Sequence, residues 1–142
     1  MDILDTLQIS ASGLTAERVR LQSIASNLAN ARSTRSADGT PGPYQRRIPV
    51  FEAQDMNAFG SLIDRELATV QVTDVATDPN PGRAVFDPAH PDADANGYVR
   101  YPDIDVMHEM VDLMTASRTY EANINVLDAT RDLAMRALEI GR

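Results

Sequence analysis

Wound as a helix, the carboxyl-terminal stretch from Tyr120 onward is apolar on two opposite sides, a pattern that a chain completing its fold alone has little reason to carry. At about 100° per residue, Tyr120, Ile124, Leu127, Ala134 and Leu138 share one stripe, and Ala122, Val126, Ala129, Leu133, Ala137 and Ile140 share the far one. Glu121, Asp128, Asp132 and Glu139 fill a face between them. One partner helix covers one stripe. The second must meet another helix, another subunit or water, and water is disfavoured by about 25 cal/mol per Å² of apolar surface. The pattern points to assembly, with Tyr120, Ile124 and Leu127 on a seam within the chain and Val126, Leu133 and Ile140 at a subunit interface.

The amino-terminal stretch supplies the partner for the first stripe. From about Asp5 to Asn30, Leu7, Leu14, Leu21 and Leu28 recur every seven residues, with Ala11, Arg18 and Ala25 four residues after the first three. This spacing predicts a coiled-coil seam on a helix about 40 Å long. Gly13 inside it costs about 1 kcal/mol relative to alanine, as a tolerated defect or as a point where a neighbouring backbone comes close. A second helix is expected from Asp103, just after Pro102, to Ile140. Val106, Met110, Leu113, Ser117, Tyr120, Ile124 and Leu127 form its seam, broadened by Met107, Val111 and Met114. Arg18 and Arg131 fall within the apolar stripes, where they either snorkel to water or meet carboxylates of adjacent subunits.

Between the helices the period changes. Arg46–Glu52 and Ala68–Val75 are rich in β-branched residues, and Arg83–Phe86 and Gly97–Tyr101 read as shorter strands. Proline-rich turns at Asp78–Gly82 and Asp87–Pro91 separate them. A turn or two of helix is expected in Phe59–Leu67. The expected fold is mainly α with a small β-rich insertion, the long terminal helices pairing as an antiparallel coiled coil. Its segments are an amino-terminal coiled-coil helix with the start of a loop (1–35), a loop and small β-rich domain (36–102) and a carboxyl-terminal coiled-coil helix (103–142).

Composition narrows the function. All 13 basic residues are arginine, and the net charge of −8 divides into +2 over residues 1–50 and −10 over residues 51–142, which opposes nucleic acid as a partner. Without cysteine there is no disulfide, thiol catalysis or Cys-based zinc site. The start, Met1 to Asp5, has no basic n-region or apolar h-region, so Sec-type export is not expected, and no stretch approaches the ~20 apolar residues of a membrane span.

Candidate sites for chemistry are few. Asp92, Asp94, Asn96 and Gly97 fit the start of a calcium loop with Asp103 at its twelfth position. The context opposes that reading: Asp87–Pro91 stands where a helix should enter, Pro102 precedes the last ligand position, and aspartate is one carbon shorter than the usual glutamate. An Asx-rich turn ending at a positive-φ Gly97 accounts for the same residues. The two histidines, His90 and His108, cannot form a multi-histidine metal site. Ser12 and Ser117 have no nearby histidine as base, and no glycine-rich loop follows a strand. No cofactor, metal or catalytic residue is expected. Met107, Met110, Met114 and Met135 fill a core or form an adaptable docking face.

The run from Ser12 to Ala31 (SGLTAERVRLQSIASNLANA) resembles the amino-terminal signature of flagellar rod and hook proteins, and Glu109 to Asn123 (EMVDLMTASRTYEAN) resembles their carboxyl-terminal one. Length, the run Asp87 to Val99 (DPAHPDADANGYV) and Pro102 resemble the short proximal-rod members in particular. Arg32-Ser33 departs from the small polar pair usual after the Asn-Ala run. The resemblance implies a structural subunit of the basal-body rod, exported by the flagellar type III apparatus without a cleaved signal peptide. It further implies a helical tube that crosses the periplasm, transmits torque and is traversed by exported subunits. Its implied partners are other rod proteins and the basal-body and export-gate components beside the proximal rod. The alternative on the residues alone is a secreted coiled-coil adaptor that binds a partner helix.

Overall fold

The computed structural model describes residues 3–35, 39, 40, 42–56 and 67–140. The elements run α1 (Ile3–Ala29), β1 (Arg47–Asp55), β2 (Ala68–Thr77), β3 (Arg83–Phe86), β4 (Tyr98–Tyr101) and α2 (Val106–Ile140). A helix therefore stands at each end of a β insertion, as the change of period requires. The helical turn expected at Phe59–Leu67 falls outside the described residues except for Leu67.

Side chains set the helix ends. Asn30 closes α1: its Nδ2 donates to the Ser26 carbonyl at 2.9 Å, and its own carbonyl accepts the Ser33 N–H at 3.0 Å, so late carbonyls of the helix find donors. At the other helix the start expected at Asp103 is corrected to Val106. Asp105 is the N-cap, its Oδ1 accepting the Met107 and His108 N–H groups at 2.9 and 3.3 Å, and the first intrahelical bond runs from Glu109 N–H to the Asp105 carbonyl. The three residues before it belong to no helix or strand, and Pro102 and Ile104 among them are buried.

Two separate two-stranded sheets form the insertion. In the β1–β2 pair, Met56 N–H donates to the Leu67 carbonyl at one end and Asp78 N–H to the Arg46 carbonyl at the other, which makes it antiparallel. β3 and β4 are antiparallel in the register Arg83 with Tyr101 to Phe86 with Tyr98, and the Phe86 and Tyr98 rings meet edge to face at 5.3 Å. Gly82 holds this hairpin's entry. Its φ is +79°, and a Cβ there would lie 2.2 Å from the Tyr101 carbonyl oxygen, so only glycine fits.

The chain divides into two compact units, each assembled from distant pieces: residues 1–21, 49–74 and 115–142 in the first, and 22–48, 75–114 in the second. Large apolar side chains are scarce inside them. Among the described residues the buried apolar positions are Ala16, Ile24, Ala31, Val99, Ile104 and Ala116, with Pro102 beside them. The strands leave Ile48, Val50, Phe51, Val70, Val75, Val85 and Phe86 exposed.

Candidate assembly surfaces

The second unit is tied together by polar side chains. Glu109 on the first turn of α2 is 1% exposed; its Oε1 accepts Arg46 Nε at 2.6 Å and its Oε2 accepts Asn27 Nδ2 at 3.2 Å. Asn27, equally buried on α1, also donates to the Arg47 carbonyl at 3.0 Å and accepts the Arg47 N–H at 2.8 Å. Tyr44 completes the cluster, its hydroxyl donating to Asn27 Oδ1 at 3.2 Å and lying 3.1 Å from Ser26 Oγ. Every polar atom of the buried Asn27 and Glu109 side chains thus has a partner, which is what makes a charge tolerable inside a small unit.

In the first unit, α1 meets its neighbours through small residues. Gly13 faces α2, where an added Cβ would lie 3.2 Å from Asn123 Nδ2. Close approach, one of the two readings of this glycine, is therefore present, but the neighbour is a side chain. Ser12 Oγ donates to the Ile9 carbonyl at 2.7 Å and accepts the Val70 N–H of β2 at 3.2 Å, docking strand on helix.

The burial stripe on α1 differs from the leucine stripe. Ser10, Ala16, Ser23, Ile24 and Asn27 are buried, whereas Leu7, Leu14, Leu21 and Leu28 are half-buried; at 100° per residue the two stripes stand roughly 100° apart. On α2 a sheltered stripe runs through Glu109, Leu113, Ala116, Tyr120, Asn123, Leu127, Thr130 and Ala134 in alternating steps of four and three, with Asp112 and Ser117 half-buried at its flanks. Tyr120 and Leu127 belong to this stripe, and Ile124 stands at its edge, 37% exposed. Val126, Leu133, Arg18 and Arg131 are exposed; the Ile140 side chain lies outside the described residues. Apolar periodicity does not select Asn27, Glu109 and Arg46, which are polar. The signal available was the heptad spacing of Glu109, Ala116, Asn123 and Thr130.

The acidic loop is braced by protein donors. Asp92 accepts Thr34 Oγ1 at 2.7 Å and Arg35 Nε at 2.8 Å, and the Arg35 guanidinium, followed by the Thr34 hydroxyl, holds the Asp92 carboxyl below the usual carboxylate range. Asp94 Oδ1 accepts the Asn96 and Tyr98 N–H groups at 2.8 and 2.9 Å, with Gly97 at φ +80°. Asp103 accepts Asn80 Nδ2 at 2.8 Å. The Asp94 bond to Asn96 is that of an Asx turn, and the carboxylates a calcium loop would aim at one point are spent separately. Among the described residues no three His, Cys, Asp or Glu side chains converge as metal ligands, and no helix is long and apolar enough to cross a membrane.

Comparison with known proteins gives these surfaces a context. Residues 7–35 match the family described as flagella basal body rod protein, and residues 95–140 match the carboxyl-terminal family described as flagellar basal body rod FlgEFG protein C-terminal. Full-length relatives include the flagellar basal-body rod proteins FlgC of Aquifex aeolicus, 43% identical over 98% of this chain and 97% of that one, and of Bacillus subtilis, 38% identical over all of both. The FlgC of Salmonella typhimurium is 38% identical, again over all of both chains. The chain belongs to the FlgC family of flagellar basal-body rod proteins. It is a structural subunit of the rod in the flagellar basal body, not an enzyme. The two matched segments take in most of α1 with the loop that follows it, and β4 with the whole of α2.

Proposed function

We propose that this subunit builds the proximal rod, stacking with its own copies and with other rod proteins into a helical tube that crosses the periplasm. The tube transmits torque and lets exported subunits pass. The observation that carries the reading is the far stripe of α2, which the chain leaves uncovered in a member of a rod family: Val126 is 46% and Leu133 64% exposed. Such a stripe is a poor surface to leave in water. A contact between different faces of successive copies does not close on itself and grows a helical filament. Val126, Leu133 and Ile140 are the apolar part of that contact, with Arg18 and Arg131 reaching carboxylates of neighbouring subunits.

Within the subunit, α1 and α2 pair as an antiparallel coiled coil. Gly13 faces Asn123 in the first unit and Asn27 bonds Glu109 in the second: fourteen residues forward on α1 match fourteen back on α2, which is two heptads. Leu7, Leu14, Leu21 and Leu28 flank that seam, and Tyr120, Ile124 and Leu127 lie along it. The subunit reaches its place through the flagellar type III export apparatus without a cleaved signal peptide, and meets basal-body and export-gate components beside the proximal rod. The test is deletion followed by complementation, with basal bodies purified and imaged. Loss of rods and swimming on deletion, restored by the wild-type chain, is the expected result; intact rods in the deletion strain would sink the reading.

A further inference from the structure

In the first unit a groove of about 390 Å³ opens over the small-residue face of α1, its walls apolar at Ile9, Ala16, Phe51 of β1 and Val70 of β2 and carrying both Glu17 and Arg20 of the helix. Glu17 is poorly paired even so. Its Oε1 has Arg20 Nη1 only at 3.9 Å, and its Oε2 is buried with no hydrogen-bond partner. A buried carboxylate oxygen lacking a donor destabilises the subunit that holds it. A cation carried beside an apolar side chain would satisfy both the oxygen and the walls. The same unit offers that pair: Leu133 and Arg136 stand one turn apart on α2, both exposed, and Arg136 makes no ion pair among the described residues. We propose that Leu133 and Arg136 of a second copy enter this groove, the Arg136 guanidinium donating to the Glu17 carboxylate, which is left weakly paired within its own chain.

The contact deepens the assembly reading above and rests on it. Groove and peg are different surfaces of one chain, so each added copy keeps one of each free and the contact propagates head to tail. Gly13 keeps the groove open, since any side chain there would grow from a Cβ already 3.2 Å from Asn123 Nδ2.

Charge reversal tests it. Glu17→Arg or Arg136→Glu alone should lower subunit recovery in purified basal bodies about tenfold, and the double reversal should restore it to within about threefold of wild type. Glu17→Leu separates contact from folding: freed of the unpaired carboxylate, its purified monomer should melt no lower than wild type while its incorporation falls. Folded single reversals that incorporate normally, or a double reversal as deficient as the singles, overturn the contact. Wild-type subunit absent from basal bodies would instead overturn the assembly reading, and the contact with it.

Discussion

Asn27 Nδ2 donates to Glu109 Oε2 at 3.2 Å, joining side chains 82 residues apart at the points where α1 ends and α2 begins. Both residues sit within the family-matched segments, and both bond to Arg46–Arg47 at the start of β1. One buried cluster thus sets helix against helix and aligns the first strand with both. A polar contact of this kind specifies register where small and apolar residues alone would allow slippage.

The cluster makes an asymmetric prediction. Arg46→Ala leaves the Glu109 carboxylate buried beside Asn27 alone and should cost about 3 kcal/mol of unfolding free energy. Glu109→Ala strands Arg46 instead, but that side chain is 29% exposed and can return to water, so about 2 kcal/mol is expected. Urea unfolding of the purified chain measures both. Equal losses would show that the carboxylate is less isolated from solvent than its burial implies.

Backbone geometry ranks the glycines. Gly82→Ala should abolish the β3–β4 hairpin, because its Cβ would lie 2.2 Å from a carbonyl oxygen at a positive φ. Gly13→Ala should be close to neutral in the monomer: about 1 kcal/mol of helix propensity offsets the few tenths of an ångström that the Asn123 amide must move. Thermal melts followed by circular dichroism distinguish the two, and a Gly13→Ala loss as large as that of Gly82→Ala would mean that Asn123 cannot yield.

Both helices and all four strands were legible, since heptad spacing and β-branched runs act locally. The buried face of α1 was not. Apolar periodicity selects Leu7, Leu14, Leu21 and Leu28, whereas the chain buries Ser10, Ala16, Ser23, Ile24 and Asn27, mostly small or polar residues that let neighbouring elements approach. The start of α2 slipped by three residues because Asp103 and Asp105 are both competent caps, and the helical first turn from Val106 selects Asp105. The Arg46–Glu109–Asn27 cluster depends on residues brought together only by the fold: the heptad spacing from Glu109 marks its side on α2, and nothing local pairs that side with Asn27 or Arg46.

Asp92 gives a pH dependence of known sign. The Arg35 guanidinium lowers its carboxyl below the ordinary value, so folding is favoured above the unfolded-state pKa of about 4 and that contribution fades as the pH falls through the lower folded value. Asp92→Asn should therefore lower Tm at pH 7 and make progressively less difference on acidification below about pH 4. The difference should also shrink in high salt, as Arg35 is exposed. An Asp92→Asn penalty that persists unchanged at pH 2 would assign the residue's role to packing, not charge.

The two stripes of α2 separate folding from assembly. Val126 and Leu133 face solvent in the isolated chain, and exposed substitutions usually change stability by about 0.5 kcal/mol or less, so Val126→Asp and Leu133→Asp should leave the monomer's melt and helix content near wild type. In a rod the same aspartates would be buried and unpaired at a subunit contact, at several kcal/mol each, so incorporation and swimming should be lost. Ile124→Asp, at the edge of the sheltered stripe, should lower monomer stability as well as incorporation. Melts of the purified variants, set beside motility and basal-body fractionation of cells carrying them, decide the matter. Normal swimming with full incorporation of Leu133→Asp would remove the far stripe from the interface and leave a doubly apolar helix without its second partner.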